Sequence, residues 1–146
     1  MPDRNAPLYV ALVHYPVVNR KGEVIASAVT NLDLHDFART SCTYDVPACF
    51  IVTPLEDQKT LTDKLLRHWC EGLGRELHPD RGLALDRLCV VDSIADAGDQ
   101  IRARCGKAPI VWATTARRHP DVLAQREAIK QLAQGNSPVL LLFGTA

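Results

Sequence analysis

The chain of 146 residues has no long apolar run, no excess of charge of either sign and no paired-cysteine motif. Its longest apolar run near the start, Leu8 to Val13, is too short to span a bilayer. The residues before it, Met1 to Pro7, contain no signal-peptide core, so the sequence reads as a soluble, cytoplasmic protein. Lys plus Arg total 17 and Asp plus Glu total 17, which excludes a general basic coat for nucleic acid and leaves room only for a local patch. Five cysteines (Cys42, Cys49, Cys70, Cys89, Cys105) form no C-x-x-C. An odd number at irregular spacing argues against a disulfide framework or a structural zinc site and for free thiols. The histidines form no H-x-x-x-H pair, and no metal is expected. There is no G-x-G-x-x-G and no G-x-x-x-x-G-K, so a standard dinucleotide or P-loop site is excluded. Gly72-Leu-Gly74 follows a helical pattern rather than a strand, the wrong context for a phosphate loop. No G-x-S-x-G elbow supports hydrolase chemistry.

What is present is alternation. Leu8–Val13, Ala48–Thr53, Leu88–Val91, Pro109–Ala113 and Pro138–Phe143 are short continuous apolar runs, as expected of strands buried on both faces. Between them lie segments of helical period. Leu34, Phe37, Ala38 and Ser41 form one stripe and predict a helix over 33–44. Thr53-Pro54-Leu55-Glu56 has the form of a capping box with Pro at the first helical position. It predicts a helix carrying Leu61, Leu65, Leu66 and Trp69 on one side and stopping near Gly72. Helices are also predicted over 94–104, ending at Gly106, and over 122–134, ending at Gly135. Residues 75–86 read as the main irregular stretch, and Asn19-Arg-Lys-Gly22 as a hairpin turn. The order predicts one α/β domain over 1–146: a parallel sheet of about five strands with helices on both faces. Ligands of such sheets sit beyond the carboxyl ends of the strands, which singles out the loops over 17–30, over 114–119 and after Phe143.

Two polar segments stand out. In Val29-Thr-Asn-Leu-Asp-Leu-His-Asp-Phe-Ala-Arg-Thr40, Arg39 lies one turn from His35 and from Asp36. The residues admit a solvated face with an Asp36–Arg39 ion pair, or a forked cation presented to a phosphate or a substrate base. Arg117-Arg118-His119 follows the fourth apolar run at the ligand end. From Gln100 onward seven basic residues face two acidic ones, an excess of five in a balanced chain. That segment reads either as a solvated loop or as a phosphate-contacting patch for RNA. Both segments are expected at the same end of the sheet.

The segments Tyr9-Val-Ala-Leu-Val-His-Tyr-Pro16 and Val29 to Thr40, with the ending Leu-Leu-Leu-Phe-Gly-Thr145, resemble a bacterial branch of the SPOUT RNA methyltransferases. Trp69-Cys-Glu-Gly72 and Ala113-Thr-Thr-Ala116 extend the resemblance over nearly the whole chain. It implies a parallel α/β domain that binds S-adenosylmethionine through the loops of a C-terminal trefoil knot, in a homodimer, and methylates tRNA or rRNA. Arg39 matches the arginine that the superfamily places on its first helix, near the methyl-accepting nucleotide, and is the implied catalytic residue. Ala113, Thr114 and Thr115 match the loop that lines the adenosine pocket, and Gly144 with Thr145 the first cofactor loop. Asn31, His35, Arg117 and Arg118 fall where RNA contacts are implied. Thr30 and Asp33 stand where relatives usually carry asparagines, and His35 stands at a common glycine.

Family members continue past Gly144 through further loops and a closing helix, so the ending at Ala146 carries the expectation of a chain truncated before the knot. With it go expectations of weak cofactor binding and of a sheet edge left incompletely covered. Beside the methyltransferase reading stands a non-catalytic RNA- or protein-binding module that has lost the cofactor. A flavodoxin-like domain is a weaker third.

Overall fold

The computed structural model describes residues 5–145. The first strand, β1 (Leu8–Val13), is followed by a small antiparallel hairpin, β2 (Val17–Val18) and β3 (Val24–Ile25). Its turn needs Gly22, whose φ of 81° lies in the left-handed region. Then come α1 (Asn31–Thr43), β4 (Cys49–Val52), α2 (Glu56–Cys70), α3 (Leu73–Leu77), α4 (Pro79–Leu85) and β5 (Leu88–Val91). The chain continues through α5 (Ile94–Cys105), β6 (Ile110–Ala113), α6 (Gln125–Gln134) and β7 (Val139–Gly144).

Five of the strands form one parallel sheet in the order β5-β4-β1-β7-β6. The expected fold class is therefore the observed one. Alternation along each strand divides two cores. Tyr9, Ala11, Val13, Phe50, Val52 and Leu140 face α5, which contributes Ala97 and Ile101. Val10, Leu12, Cys49, Ile51 and Leu88 face α1 and α4, which contribute Leu34, Ala38, Ala84 and Leu85. β1 and β4 are covered on both faces, which is why their runs are apolar without alternation. The register sets Val13 opposite both Val52 and Gly144, and Val52 opposite Val91, so these residues mark one carboxyl edge.

Several local expectations change. Thr53 does not cap α2. It is fully buried, and its amide continues the sheet by donating to the Val91 carbonyl at 3.0 Å. The helix starts at Glu56 after an N-cap, Leu55, that offers no side-chain bond. Lys59 secures this end instead, reaching Glu56 at 2.6 Å and Asp92 at 2.8 Å. On α2, Leu61 is exposed and Thr62 is buried, so the stripe is rotated from the one the leucines suggest. Most of residues 75–86 is helical, divided at His78 between the end of α3 and α4, with Pro79 in the first turn of α4 at a preset φ. Gly82 packs so closely that a Cβ there would stand 2.6 Å from the Trp69 carbonyl.

β6 is not a doubly buried strand. It lies at the sheet edge, and Ile110 and Val111 are half exposed. α6 begins at Gln125 rather than 122, leaving Val122 and Leu123 in the exposed approach to it. None of its residues is buried. Gly106 ends α5 in the left-handed conformation as expected, at φ 72°. Gly135 ends α6 with an extended backbone, its amide bonding to the Gln131 carbonyl at 2.8 Å. No helix among the described residues is long and apolar enough to cross a membrane.

Candidate functional site

Two concavities contain nearly all the residues singled out by the sequence, and they share no lining residue. The first lies at the carboxyl edge of the sheet. It is a cleft of about 1030 Å³ beyond Val13, Ala113 and Gly144. Hairpin residues Val17, Val18, Asn19 and Arg20 form one wall, and Ile94 at the start of α5 forms another. Ala113, Thr114, Thr115, Ala116 and Arg117 form the third, so the loop after β6 stands where the carboxyl-edge rule puts a ligand. Thr114 is tied back to β7, its amide and its hydroxyl both donating to the Leu142 carbonyl at 3.0 Å. Thr115 accepts from the Arg117 amide at 3.1 Å, a local turn that fixes the loop.

Thr145 does not line this cleft. Its hydroxyl donates to the Val13 carbonyl at 2.9 Å and is bonded to Ser27 Oγ. Ser27 in turn bonds Nδ1 of the fully buried His14 at 3.0 Å. Burial holds His14 below the usual imidazole range, against the charge of Asp33, which favours the protonated form. The chain end after β7 is thus stapled to the end of β1 by a hydroxyl–hydroxyl–imidazole series. Arg118 is exposed and lines neither concavity.

The second concavity, about 440 Å³, is a groove between α1 and α4. Thr30 caps α1, accepting from the Asp33 amide at 3.1 Å. That start puts Asn31, His35 and Arg39 at successive four-residue steps, one above another along a single wall. Asp80, Arg81, Ala84 and Leu85 of α4 face them, with Trp69 between. Arg39 pairs with Asp36, Nη2 to Oδ1 at 2.5 Å, and both are largely exposed, so the pair itself contributes only about 0.2–0.5 kcal/mol. The ion-pair alternative is therefore realised, and among the described residues Asp36 is the only side chain bonded to the Arg39 guanidinium. His35 stands edge-on to Trp69 at 5.5 Å. Burial, then the charges of Arg81 and Arg39, lower its pKa, while Asp36 opposes them.

Arg39 and the loop after β6 are not brought to one place. Eight residues separate Arg39 from the start of α1, about 12 Å along the axis at 1.5 Å per residue. Phe37, two residues before Arg39, still packs edge-on against Phe143 at the end of β7, so what separates Arg39 from Arg117 is that they line different concavities. The cleft residues Asn19 and Arg20 fall in the loop over 17–30 that the sequence placed at the ligand end, without being named there as contacts, whereas Asp80 and Arg81 in the groove were missed. The signal for the latter was available: His78-Pro79-Asp80, with Pro at the first helical position and an acid in the first turn, marks a helix start.

A family model described as SAM-dependent RNA methyltransferase matches residues 7–146. The chain is 47% identical over 145 residues to a protein of Oleidesulfovibrio alaskensis named tRNA (guanine-N(1)-)-methyltransferase, covering 99% of this chain and 33% of that relative. A protein of the same name in Nitratidesulfovibrio vulgaris is 44% identical over 144 residues, again covering 99% of this chain and 33% of the relative. An uncharacterized protein of Aquifex aeolicus is 26% identical over 141 residues, with 97% of this chain and 69% of that protein covered. The chain thus spans about a third of the length of the two named relatives.

Proposed function

Since the chain belongs to the SAM-dependent RNA methyltransferase family, we propose that it is a SPOUT-like domain that holds S-adenosylmethionine at the carboxyl-edge cleft and acts on tRNA in the cytoplasm, as a homodimer. The single observation that carries this reading is the cleft itself, built from the family-matched loop after β6 and the Gly144 end of β7.

The residues present suit such a cofactor. Val13, Val17, Ile94 and Leu142 offer apolar wall for an adenine ring. Arg20 and Arg117 offer guanidinium groups for the carboxylate of an amino-acid tail. A Cβ at Gly144 would meet nothing within 4 Å, so this end of the cleft is open. We assign Ala113, Thr114 and Thr115 to the adenosine side and Gly144 to the floor. Thr145 acts as the staple that holds Gly144 in register. The cofactor supplies an electrophilic methyl group; the protein's contribution is orientation, which reaches about 7–11 kcal/mol in well-aligned reactions. Arg39 is the proposed catalytic contact to the acceptor nucleotide, with Asn31 and His35 beside it as RNA contacts. Arg117 and Arg118 are proposed contacts to the RNA backbone. Because no lining residue is common to cleft and groove, this reading requires the acceptor nucleotide to bridge them, or a second copy of the chain to bring its groove to the cleft.

A second reading is a non-catalytic RNA-binding module, in which the guanidinium groups of Arg39 and Arg81 on the groove serve RNA and the cleft holds no cofactor. Calorimetry with S-adenosylmethionine and transfer of labelled methyl to a tRNA transcript separate the two. Binding that is lost in Thr115→Trp, which fills the cleft, with transfer lost in Arg39→Lys at unchanged RNA affinity, supports the methyltransferase. RNA binding with no cofactor heat and no transfer refutes it in favour of the module.

A further inference from the structure

Trp69 is the centre of an aromatic and cationic cluster on the α1–α4 groove. The rings of His35 and His68 stand edge-on to it at 5.5 and 4.8 Å, and that of His78 is tilted against it at 6.2 Å. One aromatic face is taken by Arg81, whose guanidinium carbon lies 4.5 Å from the ring centroid. Trp69 packs closely against α3: a Cβ on Gly74 would stand 2.7 Å from its Cε3, so the ring has no room on that side. The arginine is therefore laid on a fixed platform.

Stacking uses the flat face of a guanidinium and leaves its N–H donors, which lie in the plane of the group, available. Among the described residues Arg81 makes no ion pair and its side chain finds no hydrogen-bond acceptor. An exposed arginine that is both immobilised and unsatisfied loses little entropy on taking an anion. Arg39 stands on the opposite wall, with one nitrogen given to Asp36. Both charges act on His35, which lies on the α1 wall one turn from Arg39; burial first, then these two guanidinium groups, lower its pKa. The acidic groups nearby are Asp36, engaged by Arg39, and Asp80 in the first turn of α4.

We propose that the α1–α4 groove is a phosphate-binding site for the RNA backbone, in which Arg81, positioned by Trp69, is the second guanidinium opposite Arg39. This rests on the reading that Arg39 faces RNA, and adds the opposite wall of the groove, on α4. The groove would seat one phosphodiester between Arg39 and Arg81, with Asn31 and His35 as neutral donors to the adjoining sugar and phosphate oxygens.

The test is binding of a fluorescein-labelled, unmodified tRNA transcript to the full chain, by anisotropy across a salt series and without cofactor. Arg81→Gln is expected to weaken binding roughly tenfold. It should also reduce the slope of log affinity against log salt by about one, whereas Arg81→Lys keeps the slope. The His35 imidazole resonance should titrate at higher pH with tRNA present, and this rise should shrink in Arg81→Gln. If Arg81→Gln changes neither affinity nor slope while Arg39→Gln changes both, the groove proposal is overturned and the reading of Arg39 survives. If Gln and Lys weaken binding equally, with matching falls in thermal midpoint, Arg81 is only a strut between α4 and α2, and the proposal again fails. If the wild-type chain does not bind the transcript, the RNA reading of both arginines is refuted together, whatever calorimetry shows for the cofactor.

Discussion

Helix α1 carries Asn31, His35 and Arg39, so whatever fixes α1 against the sheet fixes one wall of the groove. Leu34 is the side chain that does so: it is 1% exposed, among Val10, Leu12, Ile51 and Leu85. Leu32, two residues earlier on the same helix, is 69% exposed. The substitution Leu34→Ala removes buried methyl groups and leaves a cavity between two elements that cannot collapse on each other without shifting the strands. It should cost about 2–5 kcal/mol. At about 4 °C per kcal/mol for a chain of this size, the thermal midpoint should fall by roughly 8–20 °C. The identical chemical change at Leu32 should stay within about 0.5 kcal/mol. Urea denaturation of both variants, followed by circular dichroism, reads this as a lowered midpoint at unchanged slope for Leu34→Ala alone. Similar losses at both positions, or a loss below about 1 kcal/mol at Leu34, would refute the assignment of α1's buried face.

Glycine replacements should split by what a Cβ meets. Gly74→Ala drives a methyl into Trp69 and the His68 carbonyl and should cost about 1–3 kcal/mol, while Gly98→Ala, inside α5 with its nearest neighbour at 3.9 Å, should stabilise by about 0.5–1 kcal/mol; thermal melts decide both. Thr30→Ala deletes the α1 cap and should cost about 1 kcal/mol, with Thr30→Ser restoring it, whereas equal midpoints for all three would remove the cap from the account. His14 is held neutral by burial, so the unfolded state takes up its proton first as pH falls. The stability this group contributes is complete above the usual value of 6.5 and is lost as pH drops through its lowered folded value. A urea midpoint that falls from pH 7 to pH 5 in the wild type, and falls less in His14→Gln, is the expected pattern; parallel profiles would exclude His14. Among the thiols, Cys42 is exposed and should react with iodoacetamide first at neutral pH, while burial pushes Cys49 up to about 12 and Cys70 up to about 11. Mass spectrometry showing early labelling of Cys49 would contradict its burial.

The parallel sheet was legible because its signals are local and redundant. An unbroken apolar run such as Leu8–Val13 or Cys49–Val52 can be satisfied only by cover on both faces, and helical stripes between such runs leave few topologies. The end of α5 at Gly106 belongs to the same class, since one residue's chemistry decides it, whereas α1 begins at Asn31 behind its Thr30 cap, two residues before the expected start. Composition alone could not show that the run Ile110–Ala113 would sit at an edge, half exposed. An apolar strand reads the same in the centre of a sheet as at its rim, and only the order β5-β4-β1-β7-β6 settles which neighbours it has. Thr53 illustrates the opposite failure: its hydroxyl and the Glu three residues on satisfy the capping pattern, yet the sheet claims its amide and buries its side chain.

The same division runs through the functional residues. Sequence alone singled out Arg39 and Arg117 as candidates by residue type and place, while the stretch over 113–115 was singled out for a cofactor only by the family resemblance. It also determined that Arg39 would have Asp36 one turn away, since helix geometry makes such neighbours inevitable. What only the tertiary structure decided is company over distance. Arg20 and Ile94 join the loop after β6 in one cleft, and Trp69 and Arg81 join Arg39 in one groove, although up to 97 positions separate the partners in the first case. The tertiary structure also decided that cleft and groove have separate linings, with Arg39 on α1 in one and the loop after β6 in the other. Spacing along a chain is set by covalent bonds and local periodicity. The spacing between elements is set by which faces must be buried together, and that is a property of the whole sheet.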